Sequence, residues 1–168
     1  METAYREPNG RPSRSSEPPD AVALEARARH IGLTLIKAKD QRAATFIGYL
    51  NILGPIDGLS DRQYDAAIKY LDLRDAYLQT LKAPNAEVDN EGGGMPNEFV
   101  SPAYEDWCQD TRETWDECRK AIQETQNENR SENLWAALDL CIIHSHRVHH
   151  LIGATRLVCN CLVKFFRC

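Results

Sequence analysis

The chain has 168 residues, 42% hydrophobic and 27% charged, with 20 Lys+Arg against 25 Asp+Glu for a formal charge of −5. That length buries a core without covalent staples, and the acidic balance argues against a generic nucleic-acid coat. No basic–apolar–small pattern opens the chain, and Arg156 and Lys164 interrupt its most apolar stretch, so neither a signal peptide nor a membrane span is expected.

Residues 1–20 hold Pro8, Pro12, Pro18 and Pro19, Gly10, and a Ser13–Ser16 cluster around arginines. Without apolar periodicity they read as a disordered tail. Residues 21–83 read as an N-terminal helical half. A short helix over Ala21–Arg29 is expected to end near Gly32, where positive φ is cheap, and Thr34 is placed to cap a further segment. Arg42–Leu53 reads as a helix stopped by Gly54-Pro55. Ser60-Asp61-Arg62-Gln63 spells a capping box, in which Ser60 takes the N3 amide and Gln63 reaches back. The helix after it sets Tyr64, Ile68, Leu71, Leu78 and Leu81 on one face.

Residues 84–100, with Gly92-Gly93-Gly94 and Pro96, read as a flexible loop between two helical halves. The second half, 101–168, opens on Ser101-Pro102, with Pro at a first helical position where its missing N–H costs nothing. Tyr104, Cys108, Thr111, Trp115, Cys118 and Ile122 then recur at alternating steps of four and three. That is a coiled-coil-like seam, and a helix carrying it packs lengthwise on a neighbour, in the same chain or in an oligomer. Ser131 is placed to cap the next helix, which buries Leu134, Leu138 and Cys141. A final helix over about Ala154–Phe166 buries Leu157, Val158, Cys161, Leu162 and Phe165. The fold class is therefore all-α: one domain of five to seven helices, with a helix-turn-helix-like C-terminal end turning at Gly153.

Charge is the most informative pattern. No Asp or Glu follows Asp139, so the last 29 residues carry +4 on Arg147, Arg156, Lys164 and Arg167, whereas the 139 before them carry −9. Four of the five histidines also fall there. Arg156, Asn160, Lys164 and Arg167 lie four, four and three apart, one stripe of the last helix. Arg and Lys bond guanine or phosphate and Asn bonds adenine, so the stripe suits a recognition helix, with Arg147 and His149 on phosphates. It equally suits the solvated face of an amphipathic helix.

The remaining constellations are weaker. His144, His146, His149 and His150 with Cys141, Cys159, Cys161 and Cys168 supply zinc's ligand types, but without a Cys-x-x-Cys, and several of the cysteines occupy core positions. No metal or cofactor is expected. Asp139 or Glu132 beside a histidine, or a Cys–His pair, lacks a third orienting group, and Gly92-Gly93-Gly94 is not followed by the Lys-Ser/Thr of a phosphate loop. No enzymatic activity is expected. Six cysteines without secretory context point to reduced thiols and a cytoplasmic protein.

Two runs carry a resemblance. Lys39-Asp40-Gln41-Arg42-Ala43-Ala44-Thr45-Phe46-Ile47-Gly48 and Gly58-Leu59-Ser60-Asp61-Arg62-Gln63-Tyr64-Asp65-Ala66-Ala67, with Asn133–Asp139, Gly153–Val158 and Leu162–Phe166 later, resemble small uncharacterised proteins of alphaproteobacterial phages and prophages. From Leu138 onward the chain is also similar to the C-terminal helical region of gene transfer agent transcription regulators. That resemblance implies DNA contact by Arg156, Asn160 and Lys164, although His144–His150 departs from it. The leading expectation is a phage-related DNA-binding protein: a transcription regulator or a packaging factor of terminase small-subunit type, homo-oligomeric through the seam. The other is a protein–protein module without nucleic-acid contact, an inhibitor, adaptor or virion component, with Asp61, Asp65, Asp72 and Asp75 engaging a basic partner or mimicking nucleic acid.

Overall fold

A computed structural model describes residues 21–82 and 102–168. The expected tail over 1–20 and loop over 84–100 lie outside them. Every element among the described residues is helical. The chain divides between Thr45 and Phe46, rather than at the 84–100 segment, because the helices on either side of that segment share one core.

The first unit contains α1 (Ala21–Ile31), α2 (Leu35–Ala38) and a 3-10 turn over Gln41–Ala44. Gly32 ends α1 at φ +69, as its position predicts, and the Leu33 amide returns to Ala28 O at 3.1 Å. Thr34 stands at the N-cap of α2 without a side-chain bond to it. Asp40 caps the 3-10 turn through the Arg42 amide, and the Arg42 guanidinium beside it holds its carboxyl below the usual carboxylate range. The helix expected over Arg42–Leu53 is thus two pieces, broken at the extended Thr45.

The second unit contains α3 (Phe46–Leu53), α4 (Asp61–Leu81), α5 (Pro102–Glu128), α6 (Leu134–Ala137) and α7 (Ile152–Phe166). Both capping-box bonds of α4 form: the Ser60 amide donates to Gln63 Oε1 at 2.8 Å and the Gln63 amide to Ser60 Oγ at 3.3 Å. The buried line of α4, however, is Ala66, Ala67 and Tyr70, while Tyr64, Ile68 and Leu71 are half-buried. Leu78 and Leu81 are 39% and 58% exposed. The helix meets α5 on one side and α7 on another, and small alanines let backbones approach where large side chains are held to the flanks.

The α5 seam forms as its spacing predicts. Thr111, Trp115, Cys118 and Ile122 are buried, and Tyr104 and Cys108 half-buried. Trp115 stacks on both Tyr70 and Tyr77 of α4, at 5.5 and 4.9 Å between ring centroids. Arg112 ties the same pair of helices together by donating to Thr80 O at 2.6 Å and Thr80 Oγ1 at 3.2 Å.

Asn133, not Ser131, caps α6, its side chain accepting from the Ala136 amide at 2.9 Å. Gln126 of α5 fixes the approach by accepting from the Leu134 amide at 2.7 Å. From α6 the chain runs directly into a π-helical stretch, Leu138–Ile143, closed by the His144 amide on Asp139 O at 2.9 Å. Leu134, Leu138 and Cys141 are buried, as expected. The turn before α7 spans His144–Leu151 rather than lying at Gly153, which is inside the first turn of α7. Val158, Cys161 and Leu162 join Ala154, Thr155 and Cys159 in the core, while Leu157 and Phe165 are half-buried. Packed by α4, α5 and α6, α7 is the central helix of the unit.

Candidate functional site

The centrality of α7 decides what its polar stripe touches. Between α3 and α4 the chain turns tightly over Gly54–Gly58, and the Leu59 amide returns to Leu50 O at 3.0 Å. A Cβ on Gly58 would lie 1.8 Å from Leu50 O, so only glycine fits there. This turn leaves carbonyls pointing at α7. Arg156 takes them: its Nε donates to Gly58 O at 2.7 Å and its Nη2 to Ile56 O at 2.6 Å, with Pro55 O at 3.5 Å. A guanidinium fork satisfies several acceptors at once, which a Lys ammonium cannot do with the same rigidity.

One turn further along, Asn160 Oδ1 accepts from Gln63 Nε2 at 2.8 Å. Gln63 therefore serves twice, its oxygen capping α4 and its amide nitrogen holding α7. Arg156 and Asn160 bind the last helix to the start of α4. Lys164 and Arg167 are exposed at the far end, where Arg167 adopts a left-handed C-cap, φ 53, and its amide donates to Val163 O.

Arg147 and His149 sit before α7 and lie against α3. The Arg147 guanidinium stands 5.2 Å over the Tyr49 ring, and His149 meets Phe46 edge-on at 5.9 Å. Just before them in the chain, Ser145 takes φ 55, and its Oγ accepts from the Phe46 amide at 2.6 Å. That amide is one of the first in α3 and has no partner within its own helix. Sequence reasoning missed this cap, since Ser145 and Phe46 are 99 positions apart. The exposed His144 approaches Asp139 at 3.4 Å and stacks on His146 at 5.9 Å.

The six sequence-predicted residues thus occupy three places, and the four expected on one stripe of the last helix divide between two of them. Arg147 and His149 lie against α3, Arg156 and Asn160 of α7 bond to the α3–α4 turn and the start of α4, and Lys164 and Arg167 stand at the end of α7.

The cysteines separate by burial. Cys118, Cys141, Cys159 and Cys161 are buried and Cys108 and Cys168 half-buried. Burial pushes the Cys118 and Cys159 thiols up to about 12 and raises Cys141 as well, so these groups stay protonated and behave as small core side chains.

The strongest charge feature is on α5. Opposite its buried seam, Glu105, Asp106, Asp110, Glu113, Asp116, Glu117, Glu124 and Glu128 are all exposed, with only Arg112, Arg119 and Lys120 as cations on this 27-residue helix. Arg112 is committed to Thr80, and the Arg119 guanidinium lies 5.5 Å over the Trp135 ring. Carboxylates therefore dominate a surface about 40 Å long at the helical rise per residue. The α4 acids Asp61, Asp65, Asp72 and Asp75 are exposed too, but Asn51 donates to Asp61 at 2.9 Å and Arg74 lies 3.4 Å from Asp75. Periodicity alone identifies the α5 face, because it is the complement of the seam. Comparison with protein-family models, curated proteins and solved structures gives no match.

Proposed function

We propose that this chain is a non-enzymatic protein-interaction module whose acidic α5 face engages a basic partner protein. The observation that carries the reading is the eight exposed carboxylates of α5 from Glu105 to Glu128, broken by Lys120, with Arg112 turned to Thr80 and Arg119 to Trp135. Such a face steers a basic partner at long range, accelerates encounter and repels nucleic acid. The rigid aromatic packing of Trp115 between Tyr70 and Tyr77 supports it by holding the helix as one preformed surface.

The test is capture from native-host lysate by the full chain, with bound proteins identified by mass spectrometry. A basic protein retained by the wild type and lost by Asp110→Asn/Glu113→Gln/Glu117→Gln supports the assignment. Retention of the same proteins by that variant rejects it.

A second reading keeps DNA contact, as a phage-related regulator or packaging factor with a helix-turn-helix-like end. It is favoured by Arg147, His149, Lys164 and Arg167, which remain exposed on a segment without acids. Recruiting Arg156 and Asn160 to bases would require breaking their bonds to Gly58, Ile56 and Gln63, so this reading rests on the other four residues. Salt-sensitive binding to mixed-sequence duplex, lost in Arg147→Ala/Lys164→Ala/Arg167→Ala, would establish it.

A further inference from the structure

Trp107 is the one tryptophan that the fold does not use. Trp115 stacks on Tyr70 and Tyr77, and Trp135 donates its indole N–H to Gln123 at 3.0 Å beneath the Arg119 guanidinium. Trp107 is 37% exposed, and among the described residues its ring contact is with Tyr104, at 5.6 Å between centroids and 33° between planes. Neither ring joins the hydrophobic core. Asp106 and Asp110 stand one turn apart on α5 and so share an edge of the helix, which Glu113 and Glu117 continue at steps of three and four. Trp107 lies beside that edge at its N-terminal end, one position after Asp106 and three before Asp110, and all four carboxylates are exposed. The nearest cation in sequence, Arg112, is turned away to Thr80.

The ring quadrupole draws a cation to an aromatic face, and a guanidinium stacks there while its planar fork bonds a neighbouring carboxylate. The chain builds the stacked half of this contact twice from its own residues: Arg147 stands 5.2 Å over Tyr49 and Arg119 5.5 Å over Trp135. Trp107 offers a third such ring, with two aspartates at its edge and no cation over it among the described residues. We infer that Tyr104 and Trp107, with Asp106 and Asp110, form the site that takes an arginine side chain of the partner. Resting on the reading of α5 as the face that engages a basic protein, this places the anchor of that contact at the N-terminal end of the face. A tryptophan there supplies the desolvated, energetically dominant contact, while the carboxylates steer and select the charge. A second copy meeting the same patch two-fold is disfavoured, because Asp106 and Asp110 would face their own counterparts.

The experiment labels the full chain with fluorotryptophan, assigns its three fluorine resonances by single Trp→Phe substitutions, and titrates it at low salt with hexa-arginine, hexa-lysine and hexa-glutamate peptides. The expected result is a saturable shift of the Trp107 resonance with hexa-arginine, with Trp115 and Trp135 unmoved and no response to hexa-glutamate. Trp107→Leu keeps apolar bulk but removes the ring, and it lies outside the core, so the fold is retained. It should weaken hexa-arginine binding about two- to fivefold, the worth of one exposed cation–π contact, and hexa-lysine binding less. Equal weakening for both peptides would overturn the assignment to a guanidinium. Hexa-arginine that binds wild type and Trp107→Leu equally without moving the Trp107 resonance, yet is lost in Asp110→Asn/Glu113→Gln/Glu117→Gln, would overturn the site and leave the α5 face standing. No hexa-arginine binding at low salt would overturn both.

Discussion

Replacing Arg156 with alanine separates a structural staple from a nucleic-acid contact. The substitution removes a 2.7 Å bond to Gly58 O, a 2.6 Å bond to Ile56 O and a longer one to Pro55 O. Bonds from a charged donor contribute about 1.5–3 kcal/mol each when desolvated. Only the Gly58 bond is part-buried, whereas Ile56 and Pro55 regain water on truncation, so the full value applies once. The expected loss is about 2 kcal/mol. With a urea slope of roughly 1–3 kcal/mol/M, the unfolding midpoint should fall by about 1 M at unchanged slope. Arg156→Lys should recover less than half of it, since a single ammonium cannot reproduce the fork. Urea unfolding followed by circular dichroism measures both. An unfolding free energy for Arg156→Ala within about 0.5 kcal/mol of wild type, the range of neutral surface changes, would refute the staple.

Gly58→Ala should be the more damaging change, because its Cβ would meet Leu50 O at 1.8 Å and the backbone of both α3 and the turn must move. A loss above about 3 kcal/mol, or failure to accumulate as folded protein, is expected by the same urea assay, and a near-neutral result would contradict the turn geometry. Stability should also fall in alkali. Cys118 and Cys159 hold their protons up to about 12 when folded and release them earlier when unfolded. The unfolded state therefore binds fewer protons above pH 9, and each thiol costs about 1.4 kcal/mol per pH unit from there toward 12, with full stability below that window. Urea midpoints that stay constant between pH 8 and pH 10.5 would contradict their burial as neutral groups.

Local signals in the sequence translated directly into structure. The α4 capping box needs only residues three apart, and both of its bonds are present. The α5 seam survives because one helix supplies its whole period, and its buried positions follow at steps of four and three. What required distant partners was not legible. Leu78 and Leu81 fit an apolar period but lie off the packed face, whose last buried residue is Thr80 between them, while Ala66 and Ala67, weak by hydrophobicity, are fully buried. Arg156 and Asn160 do align on one stripe of α7. Nothing local reveals that Gly58, 98 positions away, and Gln63, 97 away, consume them. The same holds for Ser145 at the start of α3. Composition revealed the acidic excess and the seam period of α5 implies its outer face, but only the fold shows Arg112 turned to Thr80 and Arg119 lying over Trp135.

The most direct measurement is a titration of the captured basic partner against two variants of equal charge change, at low and raised salt. One is Asp110→Asn/Glu113→Gln/Glu117→Gln on α5 and the other Asp65→Asn/Asp72→Asn/Asp75→Asn on α4. The account predicts that the α5 variant loses at least about tenfold in affinity and most of the salt dependence, while the α4 variant stays close to wild type. Equal losses in both would mean that net charge, not the α5 face, governs binding and would contradict the account.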